Sequence, residues 1–291
     1  EMVQETGFSN MRRIGLISLE RKLNNMINIK GHKLMKLRYL NLRIDRYHEQ
    51  YYSDNMRFAY NFASNCRFIA NYLSKAIRKY KIENRFGITM LSIRLTPDDN
   101  SIKIDRCDAV LEIFLHFTKE DIAKLLMLKN REERFEAYLE LYERGYEYAK
   151  AEGFEIGQDI LLSLHRDFRE NNYKNEWIWK KKLFRELDLY VIFQCTFTST
   201  DFTLSIEALN AKKNIVKLKD VLLRTYPDEI CYEKDFRNIV IVDNQILITD
   251  FLDHPFLSIS IGDLNNGVLS VDGYGHDLLH KYDKEIKLIE W

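Results

Sequence analysis

Two short strings set chemistry-bearing side chains at recognisable spacings. His165-Arg166-Asp167 followed by Asn172 matches a protein-kinase catalytic loop, and His276-Asp277-Leu278-Leu279-His280 comes close to a zinc-peptidase helix. In a kinase loop the aspartate orients the substrate hydroxyl and the asparagine binds magnesium, which requires a glycine-rich phosphate cover and a nearby D-F-G. Neither accompanies this string: no glycine-rich loop precedes a strand lysine, and Asp250-Phe251-Leu252 is distant and lacks the glycine. In the second string, imidazoles four residues apart share one helical face, as a shared zinc requires. Asp277 takes the place of the usual glutamate base and is a methylene too short, while Asp272 and Asp283 are the close candidates for a third ligand. The expectation is a non-enzymatic protein without metal or cofactor. A metal-dependent enzyme using His276 and His280 is the alternative.

The elements that would position these side chains follow from periodicity. Leu40, Leu42 and Ile44 alternate with polar residues as a half-buried strand does, beginning near Met35. A long helix is expected from an N-cap at Ser53 or Asp54, with Phe58, Phe62, Cys66, Ile69, Leu73, Ile77 and Tyr80 on one face. Strands follow at 88–95 and 109–117, joined by a connection that opens with the turn Pro97-Asp98-Asp99-Asn100. Thr118 caps a short helix. A longer helix at 131–152 carries Phe135, Tyr138, Leu139, Tyr142 and Ala149 and stops at Gly153. The helix at 157–171 turns Ile160, Leu161, Leu164 and Phe168 inward, which places the kinase-like string on a helix rather than a loop. From Asn175 the pattern becomes strands: 177–182, 189–198, 202–208, 214–219, 238–242, 245–250, 257–261 and 268–271, with tight turns at Asp243-Asn244 and Asn265-Asn266-Gly267. The fold class is therefore α+β, an N-terminal β-α-β-β unit with following helices and then a mainly antiparallel β-rich section. Residues 1–34 read either as an N-terminal helix or as an extension not native to the fold, 35–172 as the α+β section and 173–291 as the β-rich section.

With 291 residues, 46% apolar and 13% aromatic, the chain can fill a core. Its 44 basic and 44 acidic side chains cancel, which argues against non-specific binding of nucleic acid. The balance is local: residues 11–50 hold ten bases against three acids, residues 97–160 sixteen acids against nine bases, and residues 225–291 thirteen acids against five bases. Cys66, Cys107, Cys195 and Cys231 lie far apart in apolar stretches, which favours a reducing compartment. Without an apolar run of membrane length or a secretion signal, the expected location is cytoplasmic.

The segment Tyr173-Lys174-Asn175-Glu176-Trp177-Ile178-Trp179-Lys180-Lys181, the strand Tyr190 to Thr198 leading through Thr200-Asp201-Phe202, and Arg224-Thr225-Tyr226-Pro227-Asp228-Glu229-Ile230 together resemble bacterial immunity-type proteins associated with polymorphic toxins. The likeness covers roughly residues 35–270 and includes no motif of known chemical role. It implies a cytoplasmic binding protein that neutralises a toxin by occluding it. A basic toxin domain would be met by carboxylates, which raise association rate and specificity. The expected binding residues are Asp228, Glu229, Glu233, Asp250, Asp253 and Asp263, near turns and strand ends. A regulatory module binding nucleic acid through residues 11–50 and Lys180-Lys181-Lys182 beside Trp177 and Trp179 is a further alternative. The competing reading of those lysines is an edge strand protected from aggregation.

Overall fold

The computed structural model describes residues 34–48, 56–228 and 236–273. It has the α+β architecture expected: a mixed sheet with covering helices, followed by two antiparallel sheets. The mixed sheet contains β2 (Tyr39–Ile44), β4 (Met90–Thr96), β5 (Ser101–Asp105) and β6 (Val110–His116) in the order β2-β4-β6-β5. β2, β4 and β6 are parallel, and β5 is an antiparallel edge on β6. Strict alternation sends Leu40, Leu42, Ile44, Leu91, Ile93, Leu95, Leu111, Ile113 and Leu115 into the core. A small pair, β1 (Met35–Lys36) with β3 (Glu83–Asn84), closes one end. Buried Asn84 satisfies that loop: its amide donates to the carbonyls of Met35 and Ile88, and its oxygen accepts from the N–H groups of Phe86 and Ile88.

Four helices accompany this sheet. α1 (Met56–Tyr80) connects β2 to β4 and buries Phe62, Cys66, Ile69, Leu73 and Ile77, whereas Tyr80, expected on that stripe, is exposed in its last turn. The expected N-cap and the Phe58 side chain lie outside the described residues. α2 (Lys119–Met127) starts with a capping box: Thr118 accepts from the Asp121 N–H, and the Asp121 carboxylate accepts from the Thr118 N–H. α3 (Arg131–Ala151) buries Phe135, Tyr138, Leu139, Tyr142 and Ala149 as expected, and Gly153 beyond its end has φ +84°. Gly145 lets α3 approach the sheet: a Cβ there would lie 2.5 Å from Ile93 Cδ1. α4 (Gln158–Glu170) buries Leu161, Leu164, His165 and Phe168, with Ile160 half-buried.

The second sheet has the order β10-β9-β8-β7, formed by β7 (Glu176–Phe184), β8 (Leu189–Phe197), β9 (Phe202–Asn210) and β10 (Ile215–Thr225), with every pair antiparallel. The third contains β11 (Asn238–Val242), β12 (Gln245–Thr249), β13 (Pro255–Ser260) and β14 (Val271–Asp272). Asp243 and Asn244, both at positive φ, make the expected two-residue hairpin turn. Two features were not anticipated. The connection after Pro97 contains β5, and the Asn265-Asn266-Gly267 break closes a short helix, α5 (Ile261–Asn265), leaving only two strand residues where 268–271 was expected. Phe236 joins the last two sheets, its ring 5.6 Å from Trp179, 6.0 Å from Phe202 and 5.8 Å from Phe256. The inner face of the second sheet also meets α1: the Asn175 amide donates to the Phe68 carbonyl at 2.8 Å and to Asn71 Oδ1 at 3.0 Å. One apolar core runs through all of these elements.

Candidate functional site

The kinase-like string lies on α4, and its histidine points inward. His165 is fully buried and its Nδ1 is 3.0 Å from Glu143 Oε1; its Nε2 is 3.3 Å from the Tyr146 hydroxyl. Burial lowers its pKa, against the opposing pull of Glu143. Arg169 bridges Glu136 and Glu143 of α3, and Tyr173 donates to Glu136. Six side chains thus join α3 to α4 in one polar network. Burial and the Glu136 contact push the Tyr173 phenol up to about 12. His165 is thus held between α3 and α4, whereas Arg166, Asp167 and Asn172 of the same string are exposed.

Asn172 ends α4 in a left-handed conformation. Its N–H bonds to the Arg169 carbonyl, the Tyr173 N–H bonds to the Phe168 carbonyl, and the rings of Phe168 and Tyr173 meet at 5.6 Å, the pattern of a Schellman cap. Tyr173 also has positive φ, 55°, which is costly for a side chain of this size. Its ring against Phe135 and Phe168 and its hydroxyl on Glu136 hold it there.

Among the described residues, four of the expected acidic side chains can be placed: Asp228, Asp250, Asp253 and Asp263. Asp228 pairs with Arg67 of α1. Asp250 accepts from the N–H groups of Leu252 and His254 at 2.8 Å, stabilising its own turn, and Asp253 lies 3.2 Å from Arg237. Asp250 and Asp253 precede β13 whereas Asp263 follows it in α5, so they occupy opposite ends of that strand. Glu229, Glu233, His276, His280 and Asp283 lie outside the described residues. Among the described residues no group of three or more His, Cys, Asp or Glu side chains is arranged to hold a metal ion.

A charged cluster that sequence reasoning passed over sits at the carboxyl ends of β2 and β4. Buried Asp45 is 3.1 Å from His48 Nδ1 and 3.4 Å from an Arg94 nitrogen; His48 Nε2 is 3.4 Å from Asp98, and Arg94 also pairs with Glu112. The signal was a carboxylate directly following a parallel strand, where α/β sheets place ligands. Arg94 lies between Asp45 and Glu112, Lys103 also pairs with Glu112, and His48 bridges Asp45 and Asp98, so the polar groups of the cluster contact one another.

The outer face of the second sheet is different. Register puts Leu189, Val191, Phe193, Cys195 and Phe197 of β8 inward, and Tyr190, Ile192, Gln194 and Thr196 outward. On the same outer side lie Ile178 and Leu183 of β7 and Val216 and Val221 of β10, each 40–50% exposed. The same outer side carries Lys181, Lys219 and Arg224 with Glu176 and Glu207, whereas Lys180, Lys182 and Asp220 pair in register with inward residues and Lys182 and Lys217 reach the Ile239 carbonyl and Asn265. Both edges are irregular, with register shifts at Ile178/Lys180, Val216/Leu218 and Val221/Leu223. Such bulges and lysines discourage strand addition, so this surface offers side chains rather than an open backbone edge. Period-two alternation predicted an outward set, but not that it would be this apolar.

Among the described residues no helix is long and apolar enough to cross a membrane. Comparison with protein-family models, curated proteins and solved structures finds no match in any of the three.

Proposed function

We propose that this chain is a non-catalytic protein-binding module that occludes its partner, as its resemblance to immunity-type proteins implies, and that it binds through the outer face of β7–β10. The observation that carries the reading is the set of four aliphatic side chains held 40–50% exposed on one ordered sheet face. Exposed apolar side chains gathered on one face are characteristic of protein-binding surfaces, and here Leu183, Tyr190, Leu209 and Val216 form one row across the four strands. On the outer face itself Lys181, Lys219 and Arg224 stand beside Glu176 and Glu207, so its charged groups suit a partner surface of mixed charge. This differs from a basic partner met by Asp228, Asp250, Asp253 and Asp263. Those carboxylates are spread over separate elements, and three of them already serve an ion pair or a turn within the chain.

Co-expression with each reading frame that flanks this chain's gene tests the proposal: one is expected to encode a domain that arrests growth and is neutralised by this chain. A double variant, Ile178→Asp with Val221→Asp, is expected to keep its melting temperature but lose both association and protection of growth. Asp250→Lys with Asp253→Lys should retain both. A folded Ile178→Asp/Val221→Asp protein that protects as well as the unmodified chain would refute the surface assignment.

A further inference from the structure

At one end of the same face, a cleft of about 280 Å³ opens between the first turn of α3, the α4–β7 connection and the end of β8. Glu176 and Thr196 are register partners on the outer face of the second sheet and also line the cleft, so surface and cleft are continuous. Its part-exposed ring is Tyr173, packed against Phe135 at 5.5 Å, while Phe68, Phe135 and Phe197, each 1–5% exposed, lie behind it. Each long wall carries one charge of each sign: Arg131 and Glu132 on α3, Lys174 and Glu176 leading into β7. The left-handed Asn172–Tyr173 pair forms the rim between them and is fixed by the Glu136–Arg169 network, so the cleft is built before anything enters it.

We propose that this cleft receives one aromatic side chain from the protein partner, as the anchor of the interface formed on β7–β10. The inference rests on the protein-binding reading above. Three features select this occupant. The volume falls just below the range of about 300–1,000 Å³ typical of pockets that enclose a free small molecule, and suits a single ring. All four charged rim residues are exposed, where ion pairs contribute little, so they would hold a free charged ligand weakly. The remaining attraction is to the Tyr173 ring and the shape of the cleft, and it becomes strong when the entering ring belongs to a larger surface already held by neighbouring contacts.

The test uses the full chain, labelled with nitrogen-15 and titrated with N-acetylphenylalaninamide, N-acetylglycinamide and free phenylalanine. Saturable shifts at the amides of Tyr173, Lys174, Thr196 and Thr198 are expected from the aromatic amide, with a dissociation constant on the order of 1 mM for so few contact atoms. The glycine amide should give none. Filling the cleft from either wall, by Thr196→Trp or by the exposed Glu132→Trp, should weaken the response by about tenfold or more. Absence of saturable shifts, or an unchanged response in a folded Glu132→Trp protein, overturns the proposal. So does free phenylalanine binding about tenfold more tightly than the amide, which would mark a site for a free amino acid. No partner is needed, and Ile178→Asp/Val221→Asp should leave this titration unchanged. Failure of the cleft and failure of the sheet-face reading are therefore separate results.

Discussion

Replacing Gly145 with alanine sets two effects of opposite sign against each other inside α3. Alanine is the better helix former by about 1 kcal/mol. The added Cβ, however, would lie 2.5 Å from Ile93 Cδ1 and 2.9 Å from Ile93 Cγ1. Ile93 is fully buried in β4, between two parallel neighbours, so its Cγ1 cannot swing away without moving into packed side chains. Overpacking of this kind costs about 1–3 kcal/mol, and two atoms inside contact distance place the cost at the upper end. We expect a net loss of about 1–2 kcal/mol, because the clash exceeds the propensity gain. Ile93→Val removes the closest atom and alone should cost about 0.5–1.5 kcal/mol. In the double variant the alanine methyl occupies the vacated space, so the two losses should fall short of additivity by about 1 kcal/mol. Urea denaturation with an unchanged slope measures all three variants. A Gly145→Ala protein as stable as the parent, or strictly additive losses, would refute the contact that sets the spacing between α3 and the sheet.

The Schellman cap predicts that Asn172→Ala destabilises by about 1 kcal/mol, since alanine tolerates the left-handed region poorly, while Asn172→Gly does not; equal stabilities in urea would remove the argument. Because burial lowers the His165 pKa, the unfolded chain takes up a proton near pH 6.5 that the folded chain resists. Stability should therefore fall as pH drops below about 6.5, by at most about 1.4 kcal/mol per unit, until the lowered folded pKa is passed. His165→Gln should flatten that part of the profile, and an unchanged slope in the variant would assign it elsewhere. Alkylation by iodoacetamide at neutral pH, mapped by mass spectrometry, should modify exposed Cys107 and spare Cys66 and Cys195: burial raises the thiol pKa of both, that of Cys195 to about 12. Modification of Cys195 as fast as Cys107 would contradict the packing of β8.

Local pattern alone specified the kinds of element and most of their positions. Alternation in Leu189 to Phe197 and the spacing of Phe62, Cys66, Ile69 and Leu73 leave one way to bury each segment, and Thr118 and Gly153 punctuate helices through their own backbone chemistry. The same local logic rejected the kinase-like string, because a stripe that buries Leu161, Leu164 and Phe168 makes that segment a helix. It could not show that His165 belongs to the stripe, since an imidazole is buried only where partners from another helix meet it, here Glu143 and Tyr146. Long-range pairing was also beyond the sequence. Nothing local makes β4 and β6 parallel with β5 outside them, because that register is set by contacts between distant residues. The candidate surface shows the limit most clearly. Carboxylates near turns looked available for binding in one dimension, but in three dimensions Asp228 meets Arg67 and Asp250 closes its own turn. Ile178, Leu183, Val216 and Val221, unremarkable in the sequence, are brought onto one exposed face only by the pairing of four strands.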